Sequence, residues 1–330
     1  MTTCAIASLE RAEPLAATAA TARTWLLLEQ PGPWGAQALH ESHLDAGTGR
    51  ALAAAAEGTG VRVALIRRPG PHADRGGAAR RRVYLAHTLP GRSWVRTWRT
   101  DDPAALTALD FAALGAGDHT GLGEPYRGDP LTLVCTNGRR DRCCALLGRP
   151  LAAELAASGG ANAWEITHIG GHRFSPTLLV LPYGYAYGRV DAPTVKGVLA
   201  AVRRGRVVVE HCRGRSAWDR PGQAAELAVR AATGEVDADA LTVTHTADAG
   251  DAGDAGGPDN ADDATDATDA WTVTVTHRDA RAWHVTVRSA PGPATPASCG
   301  AEAVPQPRLY AVRVSAAAAD GSPAGAPPAG

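Results

Sequence analysis

Residues 131–181 read LTLVCTNGRRDRCCALLGRPLAAELAASGGANAWEITHIGGHRFSPTLLVL, and this stretch decides the fold. Residues 131–134 (LTLV) form a short, largely apolar run, as a strand covered on both faces requires. Residues 141–158 carry leucines and alanines suited to a helix, and Asp141 at its start is an ordinary cap. Residues 163–167 (AWEIT) and Thr177–Leu181 (TLLVL) read as two further strands. A strand, a helix and a strand in succession call for a crossover between neighbouring strands. Residues 193–204 add a second helix, so the order is β-α-β-β-α.

The same order stands upstream. Thr24–Glu29 (TWLLLE) is a strand closed by the turn residues PGPWG. A helix is expected over residues 37–58, strands over 61–66 and 82–86, and a helix over 102–114 with Asp102 as cap and Pro103 at its first position. Such a repeated order suits one open α/β sheet. It also suits two thioredoxin-like units in tandem, and the tandem is our expectation. Residues 1–125 are then the first unit and residues 126–235 the second.

Downstream, residues 223–232 suggest a short helix. Residues 241–245, 271–277, 283–288 and 309–314 alternate apolar and polar side chains, as a small antiparallel β appendage over residues 236–315 would. Within it, residues 247–270 are an Ala-Asp-Gly-Thr run without a large apolar side chain, and residues 316–330 are Ala-Pro-Gly. Neither can repay its ordering entropy, so both are expected to be disordered.

Composition narrows the function. The chain has 330 residues with a formal net charge of −1, which argues against nucleic acid or an anionic membrane as a general electrostatic partner. Lys196 is the only lysine among 33 basic residues, a bias towards arginine that carries no function by itself. No apolar run approaches the roughly 18 residues of a membrane span. The first 24 residues lack the basic and leucine-rich regions of a secretory signal, so a cytoplasmic location is expected. There the six cysteines are expected as thiols or ligands rather than structural disulfides.

The chemistry concentrates in residues 135–173. Cys135 ends a strand, and Cys143 and Cys144 fall at the start of a helix, where arginines and the helix N-terminus favour a thiolate. His168 and His172 flank Gly170 and Gly171 in a tight loop whose backbone can approach a ligand closely. Cys135, Cys144, His168 and His172 together offer two sulfurs and two nitrogens from neighbouring strand ends, a set that suits zinc or an iron–sulfur cluster. A third reading is a thiol oxidoreductase or sensor built on Cys143 and Cys144, without a Cys-x-x-Cys motif. Cys4, Cys212 and Cys299 have no spaced partner and read as buried thiols. His40, His43 and His72 read as structural or surface residues.

These residues also carry a resemblance. VCTNGRRDRCCALLGRPLA, HIGGHRFSPTLLVLPYGYAYGRV and CRGRSAWDRPGQAAELAVRAATGE, with EPLAATAATARTWLLLEQPGPWG near the start, resemble the sucrase/ferredoxin-like family. The resemblance implies a thioredoxin-like [2Fe–2S] protein that transfers electrons. It implies Cys135, Cys144, His168 and His172 as cluster ligands, with Cys143 as the alternate to Cys144. Asn137 departs from the family pattern, where a histidine is expected after Cys-Thr.

Several expectations follow. The set would differ from a Rieske centre, since one loop supplies both sulfurs and another both nitrogens. Each histidine would keep its second ring nitrogen free to exchange a proton. Arg139, Arg140, Arg142 and Arg173 would offset cluster charge and dock an acidic redox partner or reductase. Tyr183, Tyr185 and Tyr187 would share one face in core or edge packing. The chain is expected to be a carrier rather than a catalyst. Sucrase activity would need two carboxylates across a sugar-sized gap, and Glu165 has no such companion.

Overall fold

The computed structural model describes residues 3–70, 80–159, 161–248 and 269–317. In the first half, α1 (Cys4–Glu10) precedes β1 (Thr24–Glu29), whose side chains are almost all buried. The single helix expected over residues 37–58 is two, α2 (Ala38–Glu41) and α3 (Ala46–Ala56). Asp45 causes the break, because its carboxylate leaves the helix to accept the Thr48 N–H at 2.7 Å. Gly49 lets the two pieces pack, since a Cβ there would lie 1.8 Å from the Leu39 carbonyl oxygen.

Strands β2 (Val61–Arg67), β3 (Arg81–His87) and β4 (Trp94–Thr100) follow. The helix expected over residues 102–114 is also divided. Asp102 caps a 3₁₀ segment at Pro103–Ala108, and Asp110 caps α4 (Phe111–Ala116). A short strand, β5 (Glu124–Pro125), ends the half.

The second half contains β6 (Leu131–Cys135), α5 (Arg142–Ala157), β7 (Asn162–Ile166), β8 (Thr177–Leu181), β9 (Tyr185–Gly188), α6 (Ala192–Val202), β10 (Cys212–Arg215) and α7 (Arg220–Thr233). Each half places its first strand between a parallel second strand and an antiparallel third, with a fourth outside. The halves do not close into separate sheets. β2 pairs antiparallel with β7, Ile66 against Ile166 and Arg67 against Glu165. One ten-stranded mixed sheet results, in the order β10-β9-β8-β6-β7-β2-β1-β3-β4-β5.

The appendage is a separate antiparallel sheet of β11 (Leu241–Asp248), β12 (Ala270–His277), β13 (Ala282–Pro296) and β14 (Ala303–Ala316). Its Val273, Val275, Val285 and Val287 pack on Ala224, Ala225 and Val229 of α7. The alternation legible in residues 283–288 and 309–314 captures only the inner part of the β13–β14 hairpin. The expected disordered runs fall mostly outside the described residues, at 249–268 and 318–330. Tyr185 and Tyr187 are buried in one core cluster, with Tyr183 packed against it, in keeping with a packing role. Among the described residues no helix is long and apolar enough to cross a membrane.

Candidate metal centre

The parallel pairing of β6 and β7 sets Cys135 beside Ile166, so the chain leaves both strands at one edge. From β6 it turns through the buried Thr136 and Asn137 into α5. Asp141 caps that helix, accepting the Cys143 N–H at 2.8 Å. Gly148 brings the helix down on the strand, because a Cβ there would lie 2.2 Å from the Cys135 carbonyl oxygen. Cys143 and Cys144 therefore occupy the first turn, as expected. Successive helical residues point about 100° apart, and the two thiols diverge.

Cys144 turns to Cys135 and His168. The three offer ligand atoms all within 4.8 Å of one another, with the Cys144 Sγ 4.0 Å from the His168 Nδ1. Both cysteines are fully buried. The Cys144 S–H donates towards Cys135 and, with His168, holds the Cys135 thiol well below its ordinary pKa. The same contact, with burial, pushes Cys144 up. One thiolate is thus already favoured, and a cation would deprotonate the second.

His172 lies next to this group rather than within it. Its ring centroid is 5.1 Å from that of His168. Its Nε2 bonds to the Ala297 carbonyl and stands 3.7 Å from the Asp141 Oδ2. A carbonyl only accepts, so Nε2 carries the proton and Nδ1 is a bare lone pair. That Nδ1 is buried and has no hydrogen-bond partner. Burial lowers the His172 pKa against the opposing pull of Asp141, which favours the neutral ring that ligates. Its second ring nitrogen, Nε2, carries the proton and is hydrogen-bonded to the Ala297 carbonyl.

Gly170 and Gly171 have φ of +78° and +70°, the left-handed region that suits glycine. The loop they form is clamped by Arg213, whose Nη1 donates to the Gly170 carbonyl at 3.2 Å. Arg213 is fully buried, and burial lowers its pKa to about 10. Arg62 donates to the His168 carbonyl at 2.9 Å, and its charge faces Cys135. Both arginines act electrostatically on Cys135, and neither stands out in the sequence. Of the four named from the sequence, Arg139, Arg140 and Arg142 are exposed, and Arg173 pairs with Glu13 at 2.7 Å.

Other expectations sort themselves on the same geometry. Cys143 lies apart from the first group, with Cys4, Cys299 and Asp141. Its Sγ is 3.5 Å from that of Cys4 and 3.1 Å from that of Cys299, so these thiols do have a partner. Sequence separation hid it. Cys212 is a buried core thiol, its pKa raised to about 12 by burial. Glu165 is held by Arg67 and Thr136, each at 2.8 Å. Asn137, where the resemblance leads to an expected histidine, donates to the Gly35 carbonyl at 3.2 Å and braces the turn. His40 lines a cavity of about 260 Å³ with Asn137, Arg140 and His168, which opens the site to solvent. His72 lies outside the described residues.

Residues 15–214 match the family described as sucrase/ferredoxin-like. The chain is also similar to a protein of Meyerozyma guilliermondii named altered inheritance of mitochondria protein 32. The two are 29% identical over 97 residues, covering 26% of this chain and 34% of the relative. The chain thus spans about a third of that relative's length. No solved structure matches it. The family match takes in more than half of the chain, including Cys135, Cys143 and Cys144 and the loop histidines His168 and His172; this protein belongs to the sucrase/ferredoxin-like family.

Proposed function

We propose that this protein is an electron carrier that holds a [2Fe–2S] cluster through Cys135, Cys144, His168 and His172, in the second of two thioredoxin-like units. The observation that carries the reading is the buried His172 Nδ1, bare and unpartnered beside Cys135, Cys144 and His168. A buried lone pair without a donor costs about 1–3 kcal/mol, a cost that ligation would remove. When bound, such a cluster supplies a one-electron couple, whose potential imidazole ligands raise. The thioredoxin-like assignment draws support from the strand order that both halves repeat.

The chain's own residues fit that role. Arg62 and Arg213 offset anionic charge from below, and the Ala297 carbonyl fixes the His172 tautomer. Exposed Arg139, Arg140 and Arg142, with Leu146 and Leu147 at 54% and 38% exposure, make a face for an acidic redox partner. Free thiols at all six cysteines suit a reducing cytoplasm.

The test is a visible absorption spectrum of anaerobically purified protein, with iron, acid-labile sulfide and zinc assayed on the same sample. Visible bands with about two irons and two sulfides per chain support the carrier. A colourless protein whose metal at Cys135 and Cys144 is zinc alone replaces it with a zinc-stabilised module. Metal-free protein with a reactive Cys143 would favour the thiol oxidoreductase.

A further inference from the structure

A second group of thiols stands apart from the first. Cys4 begins α1, Cys143 lies in the first turn of α5, and Cys299 sits in the connection between β13 and β14. Their sulfurs are 3.5 Å (Cys4–Cys143), 3.6 Å (Cys4–Cys299) and 3.1 Å (Cys143–Cys299) apart. Both carboxylate oxygens of Asp141 lie 3.8 Å from the Cys4 Sγ. All four residues offer ligand atoms within 4.8 Å of one another.

We infer that Cys4, Cys143, Cys299 and Asp141 form a closed structural site for zinc(II), distinct from the proposed cluster site and independent of that reading. Tetrahedral zinc with Zn–S bonds of about 2.3 Å sets its sulfurs about 3.8 Å apart. The observed triangle needs only a slight opening to accept it. Three thiols and a carboxylate are a complete donor set for an ion that has no redox chemistry and no open position to fill.

The surroundings agree. Apart from Ala5, the buried apolar cluster here consists of the cysteines themselves, so these thiols do not fill a gap in a larger apolar core. Backbone N–H groups already face the ligand atoms. Ala5 donates to the Cys143 sulfur and Cys4 to the Cys299 sulfur, while Cys143 and Cys299 donate to Asp141 at 2.8 Å each. Such donors stabilise thiolate and orient ligands. The N-terminus of the 16-residue α5 adds a favourable field for a net anionic centre. Binding releases the three thiol protons and leaves the oxidation state of sulfur unchanged.

The three cysteines come from segments separated by 139 and 156 residues. Zinc would therefore tie the N-terminal helix, the start of α5 and the tip of the appendage hairpin at one point. That tip carries Ala297, whose carbonyl holds His172. The strut would thus reach the proposed cluster site through that backbone contact and through Asp141, which stands 3.7 Å from the His172 Nε2, without sharing a ligand with it.

The experiment uses full-length protein purified under reducing conditions without chelator, with metals assayed in wild type, Cys299→Ser and Cys135→Ser. About one zinc per chain is expected in wild type and in Cys135→Ser, with a loss of roughly tenfold in Cys299→Ser. If Cys299→Ser fails to fold, cobalt(II) is titrated into metal-free Cys135→Ser. Visible d–d bands with thiolate charge transfer, saturating at one equivalent, support the site. Zinc lost from Cys135→Ser but kept in Cys299→Ser would overturn it, as would a disulfide within the triad. Three freely titrating thiols and no tetrahedral cobalt spectrum would also overturn it. Failure of the cluster reading shows instead as absent iron and sulfide, which none of these outcomes requires.

Discussion

The Arg213 guanidinium occupies the space that a side chain on Gly171 would need: a Cβ there would lie 2.0 Å from its Nη2. The arginine is anchored to the Thr18 carbonyl and hydroxyl and to the Gly170 carbonyl, so it has little room to withdraw. The His168–His172 loop is therefore shaped from beneath by a cation, and glycine is the residue that lets the cation in.

Gly171→Ala should lose about 1–3 kcal/mol of stability from the left-handed backbone and the displaced guanidinium. It should also lose most bound metal at the β6–α5 turn. Urea unfolding and iron content measure the two effects, and wild-type values for both would mean that Arg213 does not constrain the loop.

Cys143 and Cys144 should behave differently although they are neighbours. Cys144→Ser is expected to abolish visible colour, and Cys143→Ser to keep it while losing the zinc. Reversed outcomes would make Cys143 the ligand of the first site. Spectra recorded with metal assays on the same preparations decide the matter.

Arg67 and Glu165 form a buried ion pair at 2.8 Å across the seam between the halves. Removing one partner strands the other, and Arg67→Ala should cost about 3–5 kcal/mol. Adding Glu165→Gln to that variant should recover part of the loss, since a neutral amide is cheaper to bury. Denaturant unfolding of both singles and the double completes the cycle, and strict additivity would deny the coupling.

His87 should make stability fall in mild acid. The Thr24 hydroxyl donates to the Leu114 carbonyl at 2.8 Å and so accepts from the His87 Nδ1–H, also at 2.8 Å. The Nε2 is left buried and unpartnered, and burial with nearby arginines lowers the His87 pKa to about 4. The folded pKa thus lies below the unfolded value of about 6.5, so in between only the unfolded chain takes up the proton. Stability is unaffected by this group at neutral pH and declines by up to about 1.4 kcal/mol per pH unit from 6.5 towards 4. The slope difference between wild type and His87→Gln isolates it, and equal slopes would count against a depressed pKa.

Local signals in the sequence were reliable where a few neighbours determine the outcome. Thr24–Glu29 and Thr177–Leu181 read as strands because each is buried almost throughout. Asp141 was legible as a cap, and with it the placing of Cys143 and Cys144 in the first turn. β4 escaped because, lying towards the edge of the sheet, it buries only Val95 fully and mixes arginine, threonine and tryptophan. The β2–β7 seam escaped because two residue pairs leave no pattern. Cys4 and Cys299 could not be joined to Cys143 by spacing, since only the hairpin tip and the N-terminal helix bring them there. A count of cysteines beyond the four-ligand set was the one available hint.

The seam also lets one half be laid over the other. Gln30 N–H donates to the Ile66 carbonyl at 2.8 Å, as Thr136 N–H donates to the Ile166 carbonyl at 3.2 Å. By that equivalence Glu29 occupies the place of Cys135, and Arg68 the place of His168. Glu29 accepts from the Arg82 backbone at 2.9 Å, while Arg68 bonds to the Asn162 Oδ1 at 2.8 Å and stacks on Trp164 at 3.8 Å. One scaffold is thus used twice in a single chain. In the second copy the two strand-end positions carry the candidate ligands Cys135 and His168; in its twin Arg68 grips the other copy at Asn162 and Trp164, while Glu29 fastens β3 of its own half.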